Sequence, residues 1–344
     1  MKKDKMTIVS WNCNGGFWEK FDEISKLEAD IYVICECGNP AKSESAEYKE
    51  FAKNYLWIGE NKDRGLGIFA KKENLKLELI PHKNELVEDY LVVKNEKKFY
   101  MGKKAEESKK EIPKEEYIEF RHILPVRVEN SFNLLAVWAM GESKRGGSNN
   151  YVEMIHEFLD ENIDNNELFG DTLIMCGDFN SSAVFNPKHT YKRTHRDIYG
   201  NHKNHTCLDC KLNKKGLFSV YHELTNEESG EEKQATFFQS RHLNNPYHLD
   251  YIYASKELFE GKTRIIRKGK KDDKDSDNEF EICDNWEWIS LSDHLPIVFK
   301  FDEEKLEEWK KERVNGDHET NIKEECKEFV FKVIKRDNKE SPIK

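Results

Sequence analysis

The sequence has no run approaching the ~18 consecutive apolar residues that a membrane-spanning helix needs. It shows no secretory leader pattern either. Lys2, Lys3 and Lys5 resemble a leader's basic start, but Trp11-Asn12-Cys13-Asn14 interrupts before an apolar stretch develops. A cytoplasmic location is expected. Cysteine is sparse for 344 residues: positions 13, 35, 37, 176, 207, 210, 283 and 326. These lie scattered through apolar segments, which argues against a disulfide framework and predicts reduced, mostly buried thiols. An excess of basic charge is also missing, with 56 Lys and Arg against 66 Asp and Glu, a net charge of -10 and a pI near 5.8. Domains that hold nucleic acid by electrostatics usually have a pI above roughly 9. Tight, sequence-neutral duplex binding by the whole molecule is therefore disfavoured, and only a local basic patch is left open. No internal repeat recurs at solenoid periods.

What is present suffices for a core. Hydrophobic residues make up 37% and aromatics 12%, including 7 Trp and 20 Phe, so wholesale disorder is excluded despite 35% charged residues. Continuous apolar segments predict buried strands at Met6–Asn14, Ile31–Cys37, Gly65–Phe69, Val87–Val93, Ile123–Val128, Phe132–Met140 and Thr172–Cys176. Further strands are expected near Ala235–Phe238, Leu249–Ala254 and Leu295–Phe301, and a half-exposed one at Leu75, Leu77 and Leu79. Phe17, Phe21, Ile24 and Leu27 are spaced as on a helix. So are Tyr151, Met154, Ile155, Phe158 and Leu159. A short helix near Leu208–Lys215 should stop at Gly216. Strands dominate, with few crossover helices.

Three segments read as additions to a body spanning 1–301. Residues 101–118 carry five Lys and five Glu, and 262–278 carry seven basic and four acidic residues. Beyond 301, Leu306, Trp309 and Arg313, then Phe329, Val330, Val333 and Ile334, predict a C-terminal extension of two amphipathic helices over 302–344.

The residues with chemistry gather at strand ends. They are Asn12, Glu36, Asp178 with Asn180, Asp250, and Asp293 with His294. Singly, each has an ordinary explanation, since an Asp after a strand commonly caps a turn. Glu36, however, lies inside IYVICEC, where an ionised carboxylate is costly unless paired or bound to a cation. Jointly, these strand ends supply hard oxygen ligands, which suit Mg²⁺ or Mn²⁺, and one imidazole for proton handling. His202, His205, Cys207 and Cys210 have zinc-like ligand types. The same stretch reads better as a helix start with Leu208 and Leu212 on one face, Cys207 then being an ordinary helical residue. The segment from Phe185 to His205 holds Lys188, Lys192, Arg193, Arg196 and Lys203 against one acid, Asp197, and begins five residues after Asn180. A basic loop beside the chemistry of an acidic molecule is a candidate path for a polyanion.

WNCNG (11–15), ICE (34–36), GDFN (177–180), HLDYIY (248–253) and SDHLPI (292–297) resemble, in order and approximate spacing, the motifs of the endonuclease/exonuclease/phosphatase superfamily. DNase I-like nucleases, apurinic endonucleases, inositol polyphosphate 5-phosphatases and neutral sphingomyelinases share that fold. The resemblance spans roughly residues 6 to 301. It implies an α/β four-layered sandwich, with two mostly antiparallel sheets face to face and helices outside. It further implies that Glu36 is the principal ligand of a Mg²⁺ or Mn²⁺ ion, with Asn12, Asn14 and Asp293 nearby. Asp178 would orient or deprotonate the attacking water, and Asn180 would hold that water and a phosphate oxygen. Asp250 would orient His294, which would donate to a non-bridging phosphate oxygen.

There are departures. Trp138 stands where many members carry a His or Tyr that reaches the phosphate or leaving group, and its indole N–H can only donate. Asn14 stands where some members carry Asp. Thr236, ahead of the Asp250 strand, is a candidate phosphate contact, though a plain strand residue is the stronger reading, and Lys192, Arg193 and Arg196 are candidate contacts to a polymer. The expected activity is metal-dependent hydrolysis of DNA or RNA phosphodiesters. The alternatives are hydrolysis of a small phosphorylated molecule, nucleotide or lipid headgroup, which the acidic pI favours, and a catalytically silent binding module.

Overall fold

The computed structural model describes residues 5–59, 63–72, 75–80, 89–94, 97–102, 122–129, 131–140, 151–186, 203–258, 263–266, 278–303 and 306. Strands β1 (Lys5–Asn12) and β2 (Ile31–Cys37) pair in parallel, and β3 (Tyr55–Ile58) and β4 (Gly65–Ala70) extend the sheet antiparallel. The chain crosses to a second sheet at β5 (Leu77–Leu79) and returns to the edge of the first as the hairpin β6 (Asp89–Lys94) and β7 (Lys97–Gly102). β8 (Ile123–Val128), β9 (Phe132–Trp138), β10 (Leu173–Asp178) and β11 (Leu217–Ser219) build the second sheet. A small hairpin, β12 (Phe237–Phe238) with β13 (Pro246–Tyr247), precedes β14 (Asp250–Ser255) of that same sheet. β15 (Thr263–Ile266), β16 (Asn278–Ile282) and β17 (Ile297–Asp302) close the first. Among the described residues, the first sheet runs β15-β16-β17-β1-β2-β4-β3-β6-β7 and the second β11-β14-β10-β9-β8-β5.

The second sheet shows how strand alternation sorts residues into layers. Leu124, Leu134, Ala136, Ile174, Cys176, Ile252 and Ala254 point inward and join one core with the first sheet. Ile123, Leu135, Val137, Leu173, Met175, Tyr251 and Tyr253 point outward. There Val152, Ile155, Phe158 and Leu159 of helix Tyr151–Asn162, and Leu208 and Leu212 of helix His205–Asn213, cover them. On the far side of the first sheet, Phe17, Phe21, Tyr48 and Phe51 form an edge-to-face and tilted cluster over Tyr32 and Phe69. Burying one such ring contributes about 1.5–3 kcal/mol. The result is four layers, helix–sheet–sheet–helix.

Several expectations shift in detail. The single helix predicted over Phe17–Leu27 is a 3-10 turn, Phe17–Glu19, followed by the short helix Phe21–Ser25. The Leu75–Leu79 alternation yields only β5. The 208–215 helix starts earlier, at His205, because the Asn204 side chain accepts from the Cys207 N–H and caps it. It ends at Asn213, and Gly216 follows with φ +75°. Cys207 and Cys210 are ordinary residues of that helix, and the buried His205 bonds Ser181 instead of joining them. Thr263–Ile266, inside the segment read as an insertion, is edge strand β15. His202, Lys192, Arg193, Arg196, residues 103–118 and the 302–344 extension beyond Asp302, Glu303 and Leu306 lie outside the described residues. The described cysteines are all free thiols. No described helix is long and apolar enough to cross a membrane.

Candidate active site

Inward alternation on the second sheet continues one step past its apolar residues. On β10 the inward series is Ile174, Cys176, Asp178, and on β14 it starts at Asp250. Asp178 and Asp250 are direct cross-strand partners. Both side chains therefore rise from the same edge of the same face, at the rim of the core between the sheets. Gly177 makes this possible. It adopts φ +146°, and a Cβ there would lie 1.8 Å from the Val137 carbonyl oxygen. Only glycine lets β10 approach β9 so closely just before Asp178.

His294 comes from the first sheet's side, two residues ahead of Pro296 and β17. Its Nδ1 lies 2.9 Å from Asp250 Oδ2, and its Nε2 lies 3.9 Å from Asp178 Oδ2. Burial works against a charged ring, but Asp250 and then Asp178 outweigh it and lift the His294 pKa to about 10. The two carboxylates thus favour the charged ring. Burial likewise raises Asp178 well above the usual carboxylate range, against the pull of His294, and Asp250 adds to the rise.

A bracing layer holds His294 in place. Trp11 Nε1 donates to the His294 carbonyl at 3.0 Å, and Ser292 Oγ accepts from the His294 N–H at 3.1 Å while donating to the Asn12 carbonyl at 2.7 Å. The Phe237 ring packs on the imidazole, with centroids 4.6 Å apart. Ser292 lies within SDHLPI and Trp11 within WNCNG, yet sequence reasoning assigned neither a role. Both partners of Ser292 are backbone groups, about which sequence is silent.

Asn12 links the sheets. Its Nδ2 donates to Asp178 Oδ2 at 2.9 Å and to Glu36 Oε1 at 3.2 Å, and its Oδ1 accepts from the Asn14 N–H at 3.0 Å. Asn14 Nδ2 in turn reaches Asp293 Oδ1 at 3.0 Å. Asn180 N–H and Nδ2 donate to the two oxygens of Asp178 at 2.8 and 2.9 Å, and Nδ2 also reaches the Ala139 carbonyl. Glu36 is not an ordinary strand residue. The β2–β4 register slips between Cys35 and Cys37, and Glu36 takes φ +60° within this bulge. The bulge frees its carboxylate from the apolar strand. Its side chain is 18% exposed, with Arg64 Nη1 at 3.5 Å from Oε2. Asn14 and Asn180 are also left-handed, at φ +52° and +45°.

Thr236 is corrected. It is wholly buried, and its hydroxyl accepts from the N–H groups of Leu249 and Asp250 at 2.9 and 3.0 Å. It positions Asp250 and is not placed to touch a phosphate. Trp138 is buried on the same inward face as Asp178, one strand away.

The donor set fits a hard cation. Asp178, Asp250 and His294 offer ligand atoms within 4.8 Å of one another, and Asp250 Oδ1 is buried without a partner among the described residues. A protonated imidazole cannot ligate; the nearby Glu36 carboxylate meets solvent and shares Asn12 with Asp178. The carboxylates of Glu36, Asp178, Asp250 and Asp293 outnumber the one imidazolium among them, which leaves negative charge for a cation to balance.

This fold is the one shared by the endonuclease/exonuclease/phosphatase superfamily, here with a buried Asp/Asp/His group at its rim. An AP endonuclease from Archaeoglobus fulgidus superposes with a TM-score of 0.50 at 15% identity, over 86% of this chain and 99% of that one. The 3'-5' exonuclease NExo from Neisseria meningitidis superposes with 0.51 at 13% identity, over 86% and 100%. The 3' phosphatase NExo from Neisseria, bound to a product DNA hairpin, superposes with 0.51 at 14% identity, over 86% and 99%. No protein-family model matches the sequence, and no curated protein does.

Proposed function

We propose that this chain is a divalent-metal-dependent phosphodiester hydrolase acting on nucleic acid by in-line attack of water on phosphorus. The observation that carries this reading is the Asp250–His294 pair, 2.9 Å apart, with Asp178 3.9 Å from the other imidazole nitrogen. Asp250 fixes the ring so that His294 Nε2–H points where a phosphate oxygen gains charge. Asp178, made more basic by burial, orients the water and accepts its proton, and the two donors of Asn180 hold its carboxylate still. Glu36 would hold the Mg²⁺ or Mn²⁺, with Asn12, Asn14 and Asp293 framing it. When bound, the ion supplies positive charge to the phosphate oxygens.

Three features support a polymer substrate. The NExo phosphatase, of the same fold, is bound to a DNA hairpin. The segment carrying Lys192, Arg193 and Arg196 is basic in an acidic chain. Phe185, half exposed, pairs with Tyr247 at 5.2 Å between centroids and offers an aromatic surface for bases. The net charge of -10 favours the second reading, a small phosphodiester. The deciding experiment incubates the protein with supercoiled DNA, single-stranded DNA, RNA and a small diester, each with Mg²⁺, Mn²⁺ or EDTA. Polymer cleavage that EDTA abolishes is expected. Turnover of the small diester alone would establish the second reading, and full activity in EDTA would end both.

A further inference from the structure

Two side-chain amides tie the carboxylates of the site together, and both lie on one short stretch of chain. Asn12 reaches Glu36 and Asp178, and Asn14 reaches Asp293. No regular element fixes the path between them, since β1 ends at Asn12 and the next 3-10 turn begins at Phe17. Asn14, Gly15 and Gly16 are left-handed in succession, at φ +52°, +72° and +61°. The glycines adopt that region freely, whereas Asn14 does so at a cost. At the two ends of the stretch the backbone is tied down, by the Cys13 N–H donating to the Cys35 carbonyl and the Gly16 carbonyl accepting from the Glu19 N–H.

Between those ties, the Cys13 and Gly15 carbonyls converge on one atom. Lys20 Nζ donates to them at 2.6 and 2.8 Å. Carbonyl oxygens turned toward a common point repel one another, and an ammonium between them removes the repulsion and adds two charge-assisted hydrogen bonds. The lysine stem runs past Gly16, where a Cβ would lie 4.0 Å from Lys20 Cε. Burial lowers the pKa of the half-buried Lys20, a cost that a lysine extended into water would not bear.

We infer that Lys20 is a positioning residue, a tethered cation that clamps the carbonyls on either side of Asn14 and so sets the Asn12 and Asn14 amides against Glu36, Asp178 and Asp293. It touches none of the reacting groups and acts through the loop. With the clamp released, Asn14 can leave its left-handed conformation. Its N–H then no longer holds Asn12 Oδ1, and the Asn12 Nδ2 that orients Glu36 turns with it. The inference rests on the phosphoesterase reading, in which Glu36 holds the cation, but its test reads metal binding as well as turnover.

Mg²⁺ is titrated calorimetrically into wild type, Lys20→Met and Lys20→Ala, with metal-free thermal melts and diester hydrolysis recorded for each. Lys20→Ala is also measured with methylammonium, which restores an ammonium with N–H donors, and with tetramethylammonium, which has the charge and no donor. Both variants are expected to weaken Mg²⁺ binding by about ten- to a hundredfold, the usual loss when a group supporting metal ligands is removed. Methylammonium should recover part of the affinity of Lys20→Ala, and tetramethylammonium none. Folded variants with unchanged Mg²⁺ affinity would overturn the inference and leave the phosphoesterase reading intact. Variants that unfold in the metal-free melt and are not restored by methylammonium would make Lys20 a structural strut and also overturn it. Lys20-dependent Mg²⁺ binding in a protein that hydrolyses no phosphodiester would keep Lys20 in its role and remove that reading. Wild type that binds no Mg²⁺ would remove both.

Discussion

Asp178 and Glu36 share the side-chain amide of Asn12 but are held in opposite ways. Asp178 ends a regular strand, is fully buried and accepts from Asn12 and twice from Asn180. Glu36 sits in a bulge at φ +60°, meets solvent and, among the described residues, is bonded to Asn12 with a loose contact to Arg64. The difference matches two tasks. Proton handling gains from a dry, fixed site where burial shifts pKa values. A carboxylate that must take a cation from solution needs access and freedom to move.

The largest effects should come from the dry side. His294→Ala and Asp178→Asn are each expected to lower kcat by about 10²–10⁴-fold with KM little changed. Steady-state kinetics on the preferred substrate measure this, and a loss confined to KM would reassign both residues to binding. Gly177→Ala should destabilise the protein by about 3 kcal/mol, because its Cβ would strike the Val137 carbonyl. Chemical denaturation reads the value, and an unchanged midpoint would show that β9 and β10 need not approach so closely.

On the wet side the expected loss is of metal, not of fold. Glu36→Gln should raise the Mg²⁺ concentration for half-maximal activity by about tenfold or more, which corresponds to ~1.4 kcal/mol. A metal titration with a parallel melt checks it, and an unshifted Mg²⁺ requirement would place the cation elsewhere. Asp250→Asn tests what raises the His294 pKa. In the wild type, a folded pKa of about 10 means stability from the charged ring is full below its ordinary value near 6.5 and is lost as pH rises through about 10. Removing the Asp250 charge should move the alkaline limb of activity to lower pH and flatten the stability loss between those values. A limb that stays in place would assign it to another group. The smallest effect is the sharpest contrast with Gly177: Glu36→Asn should gain ~0.5–1 kcal/mol, because Asn tolerates the left-handed backbone better, while metal-dependent activity falls.

Much of the site is legible along the chain because strand alternation is local. Asp178 follows Ile174 and Cys176 on one face, and Asp250 precedes Ile252 and Ala254, so apolar segments ending in acids already mark the rim of a core. The motif residues Asn12, Glu36, Asn180, Asp293 and His294 are found the same way. Other features are not local. Thr236 reads as a strand residue or a phosphate contact, because nothing in its neighbourhood shows that its hydroxyl serves the backbone of Leu249 and Asp250. Trp11 and Ser292 reach His294 and Asn12 across more than 200 residues of chain, through backbone atoms every residue possesses.

By itself, then, the sequence determined the succession of apolar segments along the chain, the acidic and amide residues at their ends, and the absence of a membrane-spanning run. Periodicity and composition are carried by neighbouring residues, so they survive without tertiary contacts. Only the folded structure decided that Glu36 turns out of its strand in a bulge, that Gly177 must lack a side chain, and that Trp138, Asp178 and Asp250 stand in one row. Register between strands depends on pairings between residues far apart in the chain, and a one-residue slip would send each of these side chains to the other face of the sheet.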